Sequence, residues 1–288
     1  MRAGLIGQGI QASLTPEMHV AEGRALGLRY EYRRIDANCV PHRNSSLTDL
    51  VSEAEQSGFV GLNVTHPFKQ QIVTLLDEKS EVVTLLGSAN TIVFQDGKRI
   101  GHNTDYIGYR SALRRALPRA PIDTVLLVGA GGAGRAVALA LLDQGTRNLI
   151  LYDRNPAQAH SLCDVLRLAR PQALVRVEKD LTAVDWSAID GAVNATPVGM
   201  KEYPGLPFEP QRLRLGSWVS DIVYFPRETE LIKAARQAGL RVMDGTGMAV
   251  YQAVTAFQLF TQRSPDPDRM VQRFDQLSQE NSKDAQCL

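Results

Sequence analysis

Apolar and polar positions alternate along this chain in two successive blocks, each a series of short apolar runs separated by longer stretches of helical period. In the first block, residues 3–6, 31–35 and 58–64 are expected strands, with helices over 16–26 and 47–55 between them. Thr15 before Pro16 is the expected N-cap of the first helix, with the proline at its first position. A hairpin is expected over 89–94 and 99–102, turning at Asp96-Gly97. This alternation implies an α/β domain with a mostly parallel sheet covered on both faces. In the second block the expected strands are 124–128, 149–152, 174–177, 191–194, 218–223 and 241–243. Helices over 136–142, 156–167 and 228–238 separate them, the last closed by Gly239 as a left-handed C′ residue. Six strands in this alternation predict a doubly wound, Rossmann-type sheet. An apolar helix over 248–260 is expected to pack back onto the first block. A polar amphipathic helix to about Leu277 follows, with a frayed end beyond Ser278. The implied organisation is a substrate-binding and catalytic domain, 1–104 completed by 246–288, and a dinucleotide-binding domain, 105–245, with a cleft between them.

One stretch says more than the periodicity does. The apolar run from Thr124 to Val128 meets Gly129-Ala130-Gly131-Gly132-Ala133-Gly134, a helical segment follows, and the next apolar run ends at Asp153. This is a G-x-G-x-x-G loop in the context its mechanism requires. The first glycine permits the tight turn, the second lets a pyrophosphate approach the backbone, and the third lets helix and strand pack closely. The helix start offers N–H groups and a positive dipole end to the phosphates. Asp153 stands where a carboxylate accepts both adenosine ribose hydroxyls and repels a 2′-phosphate, so NAD is the expected cofactor. Arg154 could reach a 2′-phosphate, which keeps NADP as second choice. The loop names a cofactor and leaves the reaction open.

Composition narrows the remaining classes. The 288 residues leave room for two domains, and 44% hydrophobic with 22% charged residues is the make-up of a soluble globular protein. Thirty-two basic against 31 acidic residues leave a net charge of +1. No global field therefore favours nucleic acid or anionic lipid, and an anionic substrate must be held by local groups. No apolar stretch approaches the ~20 residues of a membrane span, and the N-terminus lacks the apolar core of a secretion signal. Cys39, Cys163 and Cys287 are odd in number and lack metal-ligand spacing, so reduced thiols, a cytoplasmic location and no metal are expected.

Oxidising an alcohol by hydride transfer needs a neighbouring acid/base for the hydroxyl proton. Two polar segments at apparent strand ends suit that work: Asn63-Val-Thr65-His66-Pro-Phe-Lys69 and Gly101-His102-Asn-Thr-Asp105. Ligands of open α/β sheets bind beyond the carboxyl ends of strands, which puts Lys69 and Asp105 in a position to face a common cleft. Each segment is equally an ordinary loop in residue type. His66 and His102 do not repeat at zinc-site spacing. Ser13 and Thr15 offer two hydroxyls to a carboxylate, or else serve as helix caps.

Five segments in order, Ser13-Leu-Thr15-Pro16, Asn63 to Lys69, Gly87-Ser-Ala-Asn90-Thr91, Asn103-Thr-Asp105 and Asp244-Gly-Thr-Gly247-Met248 through Gln252, resemble the shikimate dehydrogenase family. The glycine loop and Asn194-Ala-Thr196-Pro-Val-Gly-Met200 fall between them, and the resemblance spans roughly residues 3 to 262. It implies that Lys69 and Asp105 form an acid/base dyad, with the choice for Lys69 between base and fixed positive donor left open. It further implies that Thr65 and Asn90 contact ring hydroxyls, Ser13 and Thr15 hold the substrate carboxylate, Gln252 orients the ring and Tyr224 stands at the cleft entrance. Gly129 to Gly134 would bind the pyrophosphate and Asp153 the ribose, with Thr196, Val223, Gly247 and Met248 around the nicotinamide end. Two departures matter: Thr15 replaces the usual serine, and Asp153-Arg154-Asn155 replaces an Asn-Arg-Thr type segment that reads the NADP phosphate. Both resemble the NAD-dependent quinate/shikimate branch. The implied activity is NAD-dependent interconversion of shikimate and 3-dehydroshikimate, with quinate and 3-dehydroquinate as a further pair, by a monomer or homodimer whose partner is the small-molecule substrate. An aminoshikimate-type dehydrogenase and a non-catalytic NAD-sensing module are the alternatives.

Overall fold

Strand pairing gathers the apolar runs into two sheets, one in each of two compact units. The computed structural model describes residues 1–284. Unit 1 comprises Met1–Thr104 together with the chain from Val250 onward, and unit 2 comprises Asp105–Ala249. Cys287 lies outside the described residues; Cys39 and Cys163 are free thiols.

Unit 1 opens with β1 (Arg2–Gly7), α1 (Thr15–Ala25), β2 (Glu31–Asp36), α2 (Leu47–Gln56) and β3 (Gly61–Val64). It continues with β4 (Glu78–Lys79), α3 (Glu81–Leu86), β5 (Thr91–Gln95) and β6 (Lys98–His102). The sheet order is β2-β1-β3-β5-β6-β4. β1 pairs in parallel with β2 and β3, β5 is antiparallel to β3 and β6, and β4 runs parallel to β6. The hairpin forms as expected, because Asp96 (φ 53°) and Gly97 (φ 71°) both take the positive φ that a tight two-residue turn requires. The expected strand at 58–64 begins only at Gly61, since Gly58 turns at φ 77°. Thr15 does not cap α1. It is the helix's first residue, Leu14 occupies the cap position, and no side chain caps the end. α2 instead carries a capping box, Ser46 with Asp49.

Unit 2 contains α4 (Thr104–Ala116), which starts at the boundary, then β7 (Thr124–Val128), α5 (Gly132–Asp143), β8 (Asn148–Tyr152) and α6 (Pro156–Ala169). β9 (Leu174–Val177), β10 (Gly191–Asn194), β11 (Trp218–Asp221), α7 (Glu230–Gln237) and β12 (Arg241–Met243) complete it. All strands are parallel in the order β12-β11-β10-β7-β8-β9, the doubly wound topology. The order reverses between β7 and β10, so the loops after those two strands flank the switch point where such sheets bind ligands. The strand expected at 218–223 ends at Asp221, because the Val223 N–H turns to the Asp221 carboxylate at 3.0 Å. At the end of α7 the Gly239 N–H donates to Arg236 and the Leu240 N–H to Ala235, a Schellman closure on Gly239.

The last helices are α8 (Thr246–Thr261) and α9 (Pro267–Asp284). α8 packs back onto the first sheet: Ala256 and Phe260 join the buried cluster of Ala3, Leu5, Tyr32 and Val93. α9 runs through Ser278 to Asp284, where a frayed end was expected. Its polar pattern hides an anchor, for buried Glu22 of α1 accepts two hydrogen bonds from Arg269 at 2.7 Å and one from the Asp266 N–H. His19, also on α1, is fully buried with its ring centroid 4.6 Å from Tyr32 and 5.6 Å from Phe257. Its Nδ1 meets the Tyr30 hydroxyl at 3.1 Å, while Nε2 has no hydrogen-bond partner among the described residues. Burial without a compensating anion pushes this imidazole down to about 3.

Candidate active site

In unit 1 the polar residues gather at the carboxyl ends of β1 and β3. The loop after β1 is held by Asp36, at the end of β2. Its carboxylate accepts from the N–H groups of Gly9, Ile10 and Asn38 and from the Gln11 side chain, all at 3.0–3.1 Å. Those bonds hold the Asp36 carboxyl below its usual range against the upward push of burial. The same loop delivers Ser13, buried, whose carbonyl accepts from Arg34 at 2.7 Å. Ser13 Oγ accepts from the Thr15 N–H at 3.4 Å, so the two expected carboxylate-binding hydroxyls sit on one turn. The loop after β3 is tied to that after β1, with Gln8 N–H donating to His66 O at 3.1 Å and Thr65 N–H to Ile6 O at 2.9 Å. Lys69 follows, half-buried, its carbonyl accepting from the Ala89 N–H at 2.8 Å.

Asn90 sits beside these loops in a buried network. Its Nδ2 donates to Thr104 Oγ1 at 2.9 Å and its Oδ1 accepts from the Thr104 N–H at 2.7 Å. Thr104 Oγ1 also reaches Gln252 Oε1 at 3.4 Å, bringing Asn90 and Gln252 into one cluster. Deeper still, Tyr32 donates to Asn63 Oδ1 at 2.7 Å and Asn63 Nδ2 to Thr91 Oγ1 at 3.0 Å. Sequence reasoning missed the roles of Asp36, Asn63 and Thr104, although Asn63 and Thr104 stood within quoted motifs.

In unit 2, Gly129 takes φ 107°, and a Cβ there would lie 2.7 Å from the Ala195 backbone. A Cβ on Gly134 would lie 2.1 Å from the Gly129 carbonyl oxygen, which is the close helix–strand approach that loop needs. Gly131 is the N-cap of α5, and nothing lies within 4 Å of the place its Cβ would take. That cradle, with Gly131 exposed and Gly132 and Ala133 half-buried at the helix start, has the shape and polarity for a pyrophosphate. Asp153 ends the next strand crossover with Oδ2 accepting from the Ala130 N–H at 2.7 Å and Oδ1 from the Asn155 N–H at 2.8 Å. Each oxygen keeps a second lone pair, so the residues present fit the ribose of a dinucleotide. Arg154 beside it is exposed.

On the other side of the switch point, the Thr196 hydroxyl donates to Asn194 Oδ1 at 2.6 Å, and buried Val223 gives its N–H to Asp221. Burial pushes Asp221 up to about 6. Tyr224 is half-buried. Gly247 and Met248 lie in the first turn of α8, where a Cβ on Gly247 would come 2.8 Å from Ala112. Asp105 is buried in the first turn of α4. The described residues contain no cluster of three metal-ligating side chains.

A doubly wound parallel sheet with a glycine loop and a strand-end acid defines a dinucleotide-binding α/β protein. Two family models match the chain: "Shikimate dehydrogenase substrate binding domain" over residues 5–92 and "Shikimate 5′-dehydrogenase C-terminal domain" over residues 245–273. The quinate/shikimate dehydrogenase (NAD(+)) of Corynebacterium efficiens is 46% identical over 273 residues, 94% of this chain and 96% of its own. The shikimate dehydrogenase (NADP(+)) of Pseudarthrobacter chlorophenolicus is 45% identical over 276 residues, 95% of this chain and 94% of its own. Among solved structures, quinate dehydrogenase from Corynebacterium glutamicum in complex with NAD is 45% identical and superimposes with a TM-score of 0.89, covering 95% of this chain and 98% of that one. The chain belongs to the shikimate dehydrogenase family.

Proposed function

We propose that this chain is an NAD-dependent oxidoreductase that interconverts shikimate and 3-dehydroshikimate, and quinate and 3-dehydroquinate. The observation that carries the cofactor choice is Asp153, since overall similarity does not: relatives named for NAD and for NADP are 46% and 45% identical. A carboxylate already bonded to the Ala130 N–H of the phosphate loop stands where a 2′-phosphate would have to go, and repels it. NAD, when bound, supplies the hydride acceptor at its nicotinamide ring. Gly129, Gly131 and Gly134 with the α5 N-terminus hold its pyrophosphate. Thr196, Val223, Gly247 and Met248 serve the nicotinamide end.

In unit 1, Ser13 and Thr15 bind the substrate carboxylate, Thr65 and Asn90 bind ring hydroxyls, and Gln252 orients the ring. The Asn90–Thr104–Gln252 bonds support this reading, because they hold polar groups in fixed directions, with Asn90 and Thr104 themselves buried. Lys69 and Asp105 handle the proton: as the ring C–H gives up its hydride, the hydroxyl proton passes to this pair and a ketone is left. Tyr224 guards the entrance. The substrate is small and anionic. A cytoplasmic location belongs to the same reading, supported by free thiols at Cys39 and Cys163.

The test is a substrate panel of shikimate, quinate and the amino analogue of shikimate, each with NAD and NADP, followed by NADH or NADPH absorbance at alkaline pH. The expected result is turnover of shikimate and quinate with kcat/KM higher for NAD. Equal or better use of NADP removes the Asp153 argument, and a flat trace with every acid removes the enzymatic reading.

A further inference from the structure

Asp221 ends β11 with its side chain fully buried. Its hydrogen-bond partners are all neutral. Oδ1 accepts from the Asn194 amide at 2.9 Å and from the Val223 N–H at 3.0 Å, and Oδ2 accepts from the Thr229 hydroxyl at 2.7 Å. Burying a carboxylate among neutral partners is costly, and a neutral side chain could tie the same loops together more cheaply. What a carboxylate adds is acceptor capacity on both oxygens and no ability to donate.

The consequence runs through Asn194. Its Nδ2 donates to Asp221 and to the Val198 carbonyl at 2.8 Å, and its Oδ1 accepts from the Thr196 N–H at 3.0 Å and the Thr196 hydroxyl at 2.6 Å. Turning that amide over would set its NH2 against the Thr196 N–H and leave its oxygen facing both the Asp221 carboxylate and the Val198 carbonyl. Asp221, an acceptor that cannot donate, therefore joins the Val198 carbonyl and the Thr196 N–H in fixing which end of Asn194 points at Thr196. The Thr196 hydroxyl is thereby a donor inward. It also accepts from the Val198 N–H at 3.2 Å, which leaves it one lone pair to present. The loop that carries it abuts the phosphate loop, since a Cβ on Gly129 would come 3.0 Å from the Thr196 methyl.

We propose that Asp221 is a positioning residue for the nicotinamide half of NAD: it sets the hydroxyl direction of Thr196 through Asn194 and turns the Val223 backbone inward. This rests on the NAD-dehydrogenase reading above. The adenosine half is held by other groups, the glycine loop and Asp153, so a defect at Asp221 is selective for the nicotinamide end.

The experiment compares the KM for NAD with the inhibition constant of ADP-ribose, which has the adenosine and pyrophosphate but no nicotinamide. Asp221→Leu removes both acceptor oxygens at similar size, and Asp221→Asn keeps one oxygen for Asn194 and Val223. In the Leu variant the KM for NAD should rise about tenfold or more while ADP-ribose inhibition stays within about twofold, and Asp221→Asn should restore most of the loss. Parallel weakening of NAD and ADP-ribose, or an unchanged KM in the Leu variant, overturns the proposal. Should Asp221→Leu fail to fold, Thr196→Val, at a half-buried position, decides: it must reproduce the selective loss, and a wild-type KM for NAD overturns the proposal. Wild-type protein that reduces no NAD with any acid of the panel refutes the functional reading instead, before any variant is compared.

Discussion

The buried imidazole of His19 makes unit 1 sensitive to acid in a way that can be measured apart from every other titration. In the folded chain the ring sits among Tyr30, Tyr32, Phe257 and Phe260, and burial holds it neutral down to about pH 3, against an ordinary 6.5. Its folded value is depressed, so between pH 6.5 and 3 the unfolded chain binds a proton that the folded chain refuses. The stability this group contributes is whole above its unfolded value and is lost as pH falls through that window. At pH 5 the gap from 6.5 is 1.5 units, which is about 2 kcal/mol at 1.36 kcal/mol per unit. At pH 4 it is about 3 kcal/mol by the same arithmetic.

The perturbation is His19→Leu, which keeps an apolar side chain of similar bulk and titrates nowhere. Urea unfolding of wild type and variant at pH 8 and pH 5 gives four free energies. All other groups are common to both proteins and cancel in the double difference. Wild type should lose about 2 kcal/mol more than the variant between those pH values, whatever the variant costs at pH 8. Trp186 and Trp218, both of the chain's tryptophans, lie in unit 2, so their fluorescence follows that unit, while far-UV circular dichroism follows both. If the units unfold separately, the His19 effect belongs to the transition that fluorescence does not see. A wild-type-to-variant difference that is the same at pH 5 and pH 8 refutes the reasoning.

Other perturbations test the site directly. Lys69→Ala should lower kcat by about 10²–10⁴, the usual acid/base range, with little change in NAD affinity; near-normal kcat would remove Lys69 from the proton path. Asp153→Ala should narrow or reverse the NAD over NADP ratio in kcat/KM. It should also weaken both cofactors somewhat, because the Ala130 N–H loses its 2.7 Å acceptor; an unchanged ratio contradicts the specificity argument. Gly134→Ala should abolish NAD binding by titration calorimetry, since its methyl would stand 2.1 Å from the Gly129 carbonyl and force helix and loop apart. Normal NAD affinity in that variant would mean the loop does not hold the pyrophosphate.

The doubly wound unit was legible from the chain because its signals are local: strand, glycine loop, helix, strand and acid follow one another within about thirty residues. The Asp96-Gly97 hairpin was legible for the same reason. Thr15 was misread as a cap because Thr-Pro is an ordinary helix entry, whereas the turn here is set by distant Asp36, which gathers the Gly9 and Ile10 N–H groups and leaves Leu14 in the cap position. β4 has only two residues, exposed and charged, and exists because β6 offers it an edge. No periodicity announces such a strand. α9 was expected as a helix to about Leu277 with a frayed end beyond Ser278, and what the sequence did not announce is that its start is tied down by Arg269 reaching Glu22, 247 positions away.

The same distinction separates the two kinds of site residue. Groups proposed to touch substrate or cofactor stand in short motifs, because the loops that present them are continuous. The buried acids that aim them, Asp36 and Asp221, do not. Asp221 and Asn194 are 27 positions apart and meet only because β10 and β11 are neighbours in the sheet. Asp36 reaches the loop after β1 only because β2 pairs beside it. In sequence each is a single acid at the end of an apolar run, and most such acids end strands in solvent. What marks these two is burial, 0% and 3% exposed, with every hydrogen bond accepted from a neutral donor. A buried carboxylate without a cation costs stability. In each unit that cost is borne where a loop carrying proposed ligand contacts has to be aimed, and this concentration at one end of each sheet is the physical reason to look for function there.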